Sequence, residues 1–456
     1  MAMTDLDKII KAYDIRGLVG IELTDELMQA VGKAFVVALG IAKSTGGAGA
    51  VVIGRDMRES GSAYSAAFAA GVTQLGVDVI DIGLASTDQL YFAAGFLQLP
   101  GAMLTASHNP AAYNGIKLCQ AGAKPVGQET GLKQIKELIK ANDFELAEVS
   151  GVVSTRDLLS EYASFLQQLA GLTKVRPMKI VVDAGNGMAG HTAPTVLNLP
   201  GMELVPMYFE LDGNFPNHDA NPIDPVNLVD LQKKVLETSA DLGLAFDGDA
   251  DRCFLVDNNG ELVSPSALTA LIAKRFLATN PGATIVHNLI SSKAVPEIVA
   301  EAGGVAVRTR VGHSFIKEVM AQTNAVFGGE HSGHFYFRDF WYADSGMLAA
   351  LIAIAELTAT DQSFSELIAN CARYPQSGEI NSEVPDAAAA IERMLHKFGD
   401  GHEIDRLDGI TITAPSWWLN VRASNTEPLV RLNVEADTQA LLQEVTQAAL
   451  GVIRDF

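Results

Sequence analysis

The sequence predicts an α/β protein made of three related units and a separate, smaller α+β region at its C-terminal end. Three observations lead there. An apolar run rich in Val and Ile opens a unit of the same plan at Ala50–Gly54, at Lys179–Asp183 and at Ala283–His287. Each is followed by a polar loop, a small-residue helical stretch, a glycine and a second apolar run, at Gly76–Ile80, Gly201–Val205 and Gly304–Val307. Each unit then has one more short apolar strand that ends in a conspicuous polar loop: Ala102–Leu104 into Thr105–Pro110, Leu242–Phe246 into Asp247–Asp251, and Ala325–Phe327 into Gly328–His334.

Apolar strands alternating with helices form mixed, largely parallel sheets, and ligands of such folds gather at the carboxyl ends of the strands. All three polar loops have that address. From about residue 370 the repeat stops, and a fourth polar loop, Arg422–Pro428, lies between strand-like Ser416–Val421 and Leu429–Val434. This stretch reads as α+β. Joints rich in acidic residues, Gly or Pro divide the chain into expected domains 1–150, 151–253, 254–370 and 371–456.

A chain of 456 residues with 48% hydrophobic and 19% charged residues has material for several cores and is not disordered. Lys+Arg 33 against Asp+Glu 54 gives a net charge of −21, which repels nucleic acid and anionic lipid. If the ligand is an anion, the few basic residues must gather at one place. Cys119, Cys253 and Cys371 are far apart with no CxxC pair, which fits a reducing cytoplasm rather than a disulfide framework or a thiolate zinc site. Met1–Lys11 lacks the pattern of a secretory signal and no run of 18 apolar residues occurs, so a cytoplasmic protein without membrane attachment is expected.

Asp247, Asp249 and Asp251 stand at i, i+2 and i+4, a spacing that in extended backbone turns three carboxylates to one side. Such crowding calls for a cation, and an all-oxygen set suits Mg²⁺. A solvated acidic turn has the same spacing, whereas an EF-hand does not fit, because its twelfth position is Asn258 rather than Glu. The apolar strand before the trio and Arg252 beside it favour a site. Ser107-His108-Asn109-Pro110 either presents a hydroxyl as a phosphate carrier or is an ordinary turn. No GxSxG elbow surrounds Ser107, which argues against a Ser-His-Asp hydrolase. Lys117 is either a proton donor or a surface lysine.

Arg422, Ser424, Asn425 and Thr426 combine a cation with small polar donors, a composition that binds phosphate. Glu330 and Ser332 on a glycine-flanked loop suit paired sugar hydroxyls. Zinc on His331 and His334 of the same loop is the rival, but no HExxH helix accompanies them. Lys11, Arg16, Lys293, Arg310 and His313 are further candidates, although most basic residues only solvate a face. What singles these groups out is complementarity, because a phosphate carrier, metal carboxylates, a hydroxyl reader and a phosphate cradle each come from a different unit.

Lys11–Gly17, Thr105–Pro110, Asp247–Arg252, Gly329–His334 and Arg422–Pro428, in this order over essentially the whole chain, resemble the α-D-phosphohexomutase family, in particular its phosphomannomutase/phosphoglucomutase group. The resemblance implies four domains, three of related α/β build and a smaller C-terminal one, around a central active-site cleft. It implies that Ser107 is the serine phosphorylated in the active enzyme and that Asp247, Asp249 and Asp251, with the Ser107 phosphate, hold Mg²⁺. His108, Arg16, Arg252 and Lys117 would then assist phosphoryl and proton transfer, Lys117 as general acid/base. Glu330 and Ser332 would hold the sugar 3- and 4-hydroxyls, and Arg422, Ser424, Asn425 and Thr426 the non-reacting phosphate. Tyr13, Lys293, His313 and His334 match further cleft positions.

The activity so implied is reversible phosphoryl exchange between C1 and C6 of mannose and glucose phosphates, with hexose 1,6-bisphosphate as intermediate and activator and no obligate protein partner. Glucosamine-phosphate mutases usually have Gln where His331 stands and Asp where Tyr113 stands, so both positions lean towards glucose and mannose. A Mg²⁺-dependent sugar phosphatase is the rival enzyme and a non-catalytic sugar-phosphate sensor the rival binder. A phosphatase needs only one phosphate site.

Overall fold

The structure, a computed structural model, describes residues 5–41, 49–423 and 429–455, with backbone only for His313 and Ser314. The chain divides into two compact units, Met1–Val263 with Ser332–Ser365, and Ser264–His331 with Glu366–Phe456.

The first unit holds two sheets. One runs in the order Ile15–Leu18, Tyr113–Gln120, Gly101–Leu104, Ala50–Arg55, Asp78–Leu84 and Val153–Thr155. Ala50–Arg55 is parallel to both neighbours, whereas Tyr113–Gln120 returns antiparallel along Gly101–Leu104. Gly101–Leu104 is buried throughout, as a central strand covered on both faces must be. The covering helices Asp25–Ala38 and Gly61–Gln74 touch backbone to backbone. A Cβ on Gly71 would lie 2.1 Å from the Gln29 carbonyl oxygen, so only glycine permits this crossing. Val153–Thr155, beyond the expected joint at 150, completes the sheet in parallel with Asp78–Leu84.

The second sheet has the order Leu262–Val263, Cys253–Asp257, Leu242–Phe246, Met178–Asp183 and Met202–Met207. Met178–Asp183 is parallel to both neighbours, and Cys253–Asp257 folds back antiparallel on Leu242–Phe246. That hairpin carries the sheet past the expected joint at 253. Helices Thr87–Leu97 and Leu159–Ala170 are joined by aromatic contacts, Phe92 to Tyr162 at 5.8 Å and Phe92 to Phe165 at 5.3 Å between ring centroids. Helix Gly346–Thr358 is apolar on nearly every side and correspondingly buried.

In the second unit Thr284–Asn288 lies parallel to Val305–Thr309 and Phe327–Gly329. An antiparallel sheet of Gln376–Glu383, Leu429–Ala436, Trp417–Ala423, Ile410–Thr413 and Glu403–Asp405 forms its C-terminal part. Helices Ala387–Phe398 and Gln439–Ile453 supply Met394, Val445 and Ile453 to a core with Leu432 and Val421. This is the expected α+β region. Each apolar run that opened or closed a repeat meets a strand, although the third closing strand, Phe327–Gly329, takes in only Phe327 of the expected Ala325–Phe327 and runs on into the glycines of the expected loop. Among the described residues no helix is long and apolar enough to cross a membrane.

Candidate active site

Strand Gly101–Leu104 delivers the Thr105–Pro110 turn, in which Ser107 takes a left-handed conformation with φ +52°. The Ser107 amide donates to Thr105 Oγ1 at 2.9 Å and its hydroxyl donates to Asp247 Oδ2 at 2.9 Å. Ser107 Oγ is also 3.2 Å from His108 Nδ1. A hydroxyl has one proton, so with that proton on Asp247 the imidazole contact is made by an Nδ1–H tautomer. Burial and the Arg252 and Arg16 guanidinium groups push His108 well below its ordinary value, which keeps it neutral.

Asp247, Asp249 and Asp251 occupy the loop after Leu242–Phe246 and are all buried. The loop approaches the serine turn closely, since a Cβ on Gly248 would lie 2.5 Å from the Ser107 carbonyl oxygen. Lys117, on strand Tyr113–Gln120, sets its Nζ 2.7 Å from Asp249 Oδ2 and 2.5 Å from Asp251 Oδ2. Burial alone would lower Lys117, but the two carboxylates outweigh it and hold the amine protonated. Burial would likewise raise Asp249, yet the Lys117 ammonium and the Thr87 hydroxyl hold it well below the carboxylate range. Asp247 is pushed far up by burial and by its two neighbours.

Each aspartate of the trio offers one oxygen, and these oxygens lie within 4.8 Å of one another. Among the described residues, Asp249 Oδ1 and Asp251 Oδ1 are buried without a hydrogen-bond partner. Buried orphan oxygens on an oxygen-only donor set fit a hard divalent cation.

The remaining first-unit candidates gather on the same loops. Arg16 donates to Asp14 Oδ2 at 2.8 Å, to Asn109 Oδ1 at 2.6 Å and to the Ala106 carbonyl at 3.2 Å. Burial opposes the Arg16 charge, but Asp14 and Asp249 raise it above its ordinary value. Arg252 donates its amide to Asp247 Oδ1 at 3.2 Å, with its Nε 3.5 Å from Asp247 Oδ2. His334 Nε2 is 3.7 Å from Asp251 Oδ1 and its Nδ1 is 3.0 Å from Ser332 Oγ. Burial first and Arg252 second lower that imidazole to about 4. Tyr13 is half-buried next to Asp14.

Glu330, Lys293 and Arg422 belong to the second unit. Glu330 is buried and accepts from the Gly312 amide at 3.2 Å and from Asn288 Nδ2 at 3.4 Å. Next to it His331 Nδ1 is 3.1 Å from Ser266 Oγ, and burial lowers its imidazole to about 4 while Glu379 and Arg422 act on it in opposite senses. Arg422 is pinned by Glu379 and by Asn433 Oδ1 at 3.1 Å. Lys293 pairs with Asp437 at 2.6 Å and rests on the Tyr374 ring. Ser424, Asn425 and Thr426 lie outside the described residues, as does the His313 side chain.

Two residues escaped the sequence reading. Arg58 donates to three main-chain carbonyls of the serine turn and to that of Tyr113 at the start of the next strand, and Thr87 Oγ1 donates to Asp249 Oδ2 at 2.6 Å. A signal was present for Arg58, because Arg55-Asp56-Met57-Arg58 stands at the carboxyl end of the first repeat strand.

Comparison with known proteins agrees with this geometry. The chain matches all four domains described for phosphoglucomutase/phosphomannomutase: α/β/α domain I over residues 7–146, domain II over 160–260, domain III over 264–374 and the C-terminal domain over 379–451. A phosphomannomutase of Vibrio cholerae is 42% identical, covering 97% of this chain and 98% of its own. A protein described as phosphohexose mutases from Xanthomonas campestris is 40% identical over the same shares of the two chains. The crystal structure of a phosphoglucomutase/phosphomannomutase family protein from Burkholderia thailandensis superposes with a TM-score of 0.86 at 33% identity, covering 98% of each chain. With its serine turn and aspartate loop in contact and its whole length matched, the chain belongs to the phosphoglucomutase/phosphomannomutase family of phosphohexose mutases.

Proposed function

We propose that this mutase exchanges a phosphoryl group between O1 and O6 of mannose and glucose phosphates, with Ser107 as carrier, Mg²⁺ as metal and hexose 1,6-bisphosphate as intermediate and activator. The observation that carries the reading is Ser107 Oγ at 2.9 Å from the first of three buried carboxylates, on a turn ringed by Arg16, Lys117 and Arg252. Residues 1–150 then carry the serine, 151–253 the metal ligands, 254–370 the sugar reader and 371–456 the phosphate cradle. Cys119, Cys253 and Cys371 are buried and form no disulfide, which accords with a cytoplasmic setting.

Phosphoryl transfer depends on charge neutralisation and in-line placement. Mg²⁺ on Asp247, Asp249, Asp251 and phospho-Ser107 would offset the negative charge of the transferring group. Arg16 and Arg252 add fixed positive charge beside it. In the first half-reaction the P–Oγ bond breaks as a bond forms from phosphorus to a sugar oxygen, and one proton moves from the accepting hydroxyl to Ser107 Oγ. In the second the phosphorus–oxygen bond at the other end of the sugar breaks as P–Oγ forms again, and the proton returns from Ser107 Oγ to that sugar oxygen. We assign its relay to Lys117, which the carboxylates keep protonated, with neutral His108 next to Oγ assisting. Glu330 and Ser332 are assigned to the 3- and 4-hydroxyls, and Arg422, Ser424, Asn425 and Thr426 to the non-reacting phosphate. Tyr13, Lys293, His313 and His334 complete the binding set. Nothing in that set reads the 2-position, which is why both mannose and glucose phosphates are expected.

A coupled assay on mannose, glucose and glucosamine 1-phosphates, primed with glucose 1,6-bisphosphate, tests this. The expected result is the 6-phosphate from the first two sugars and loss of nearly all turnover in Ser107→Ala. Free phosphate without isomer would favour a phosphatase instead.

A further inference from the structure

Arg58 is buried and spends every N–H of its guanidinium inside the protein. Nη1 donates to the carbonyls of Pro110 at 3.0 Å and Tyr113 at 2.8 Å, and Nη2 to those of Ser107 at 2.9 Å and Asn109 at 2.6 Å. Nε donates to Asp56 Oδ2 at 3.2 Å, and Asp56 Oδ1 in turn accepts the Arg58 amide at 3.0 Å. The Phe215 ring covers the group at 5.3 Å. Burial lowers the guanidinium from its ordinary value even beside Asp56.

A buried cation directed at three carbonyls of one turn and at the first carbonyl of the strand that follows it has a geometric purpose. Ser107 is left-handed, and the turn must keep Oγ aimed at Asp247 through successive half-reactions. We propose that Arg58 is the positioning residue of the carrier turn, clamping the carbonyls behind Ser107 so that Oγ holds its line to the metal loop. It touches no reacting atom. A lysine keeps the charge but offers its donors from one point and cannot span four carbonyls. The inference rests on the mutase reading, and its test separates the two.

Arg58→Lys and Asp56→Asn are compared with the parent for cooperative unfolding, for kcat and KM on mannose 1-phosphate and glucose 1-phosphate, and for Mn²⁺ affinity. Displacing the turn should lower kcat about 10- to 100-fold in Arg58→Lys, with KM within about threefold. Mn²⁺ affinity, measured on the dephosphorylated protein where the aspartates alone would hold the ion, should stay within about twofold, since none of the three hydrogen-bonds Arg58. Asp56→Asn removes the carboxylate charge that anchors both Nε and the Arg58 amide and should lower kcat at least about threefold with the same unchanged KM. If Arg58→Lys does not fold, Asp56→Asn carries the test. A folded variant with kcat within about twofold of the parent, or with KM and Mn²⁺ affinity changed as far as kcat, overturns the proposal. A parent inactive on both sugars would sink the mutase reading instead.

Discussion

Thr87 illustrates how one hydroxyl can matter at this site. It donates to Asp249 Oδ2 at 2.6 Å while its amide donates to the Asp249 carbonyl at 2.9 Å, so side chain and backbone of that aspartate are both fixed by one residue. Partners that orient a metal ligand typically contribute 10- to 100-fold in metal affinity. Thr87→Val should therefore weaken Mn²⁺ binding by roughly 10- to 100-fold and Thr87→Ser should restore most of it. Titration of the purified protein with Mn²⁺ reads this directly, and equal affinities for parent and Thr87→Val would contradict it. Ser107 and the aspartate trio stood out in the sequence as candidates because their chemistry is in their own side chains, at the ends of apolar strands, although an ordinary turn has the same pattern and the family resemblance chose between the two. Thr87 did not stand out, because its partner lies 162 positions away, and Arg58 was marked only by its place at the carboxyl end of the first repeat strand, because main-chain carbonyl partners leave no pattern along the chain.

Among elements, the first turn of helix Thr87–Leu97 joins three parts of the first unit. Asp88 there is fully buried and accepts from Tyr162 at 2.8 Å, from Ser345 at 2.6 Å and from Ser86. Tyr162 lies on helix Leu159–Ala170, and Ser345 caps helix Gly346–Thr358. Burial raises the Asp88 carboxyl from 3.8 to about 6 despite these donors. The folded state thus binds this proton more tightly than the unfolded chain. Its stabilising contribution is complete below pH 4 and is lost as pH rises through about 6, a change on the order of 3 kcal/mol. Denaturant unfolding across pH 4–7 should show a downward slope in the parent that is flatter in Asp88→Asn. Identical slopes would remove Asp88 from this role. The central strands were readable as apolar runs, whereas the edge strand Val153–Thr155 was not, because its residues are exposed and carry no burial signal. The second sheet outran its expected joint for a related reason, since an antiparallel return such as Cys253–Asp257 looks like the start of the next unit.

For the molecule as a whole, charge is the guiding quantity. A chain of net charge −21 repels anions in general, yet Arg16, Arg58, Lys117 and Arg252 converge on the loops around Ser107. That concentration is what an anionic substrate requires, and it was anticipated from composition alone. In the proposed reading the three repeats also divide the chemistry, since one strand end carries the serine, another the carboxylates and the third Glu330. The central claim, that Ser107 is the obligate carrier, is tested most directly by peptide mass spectrometry of the enzyme after incubation with glucose 1,6-bisphosphate. One added phosphoryl group on Ser107, removed when mannose 6-phosphate or glucose 6-phosphate is supplied, is the predicted result. Continued isomerisation while Ser107 stays unmodified, or a phosphoryl group on a different residue, would contradict it.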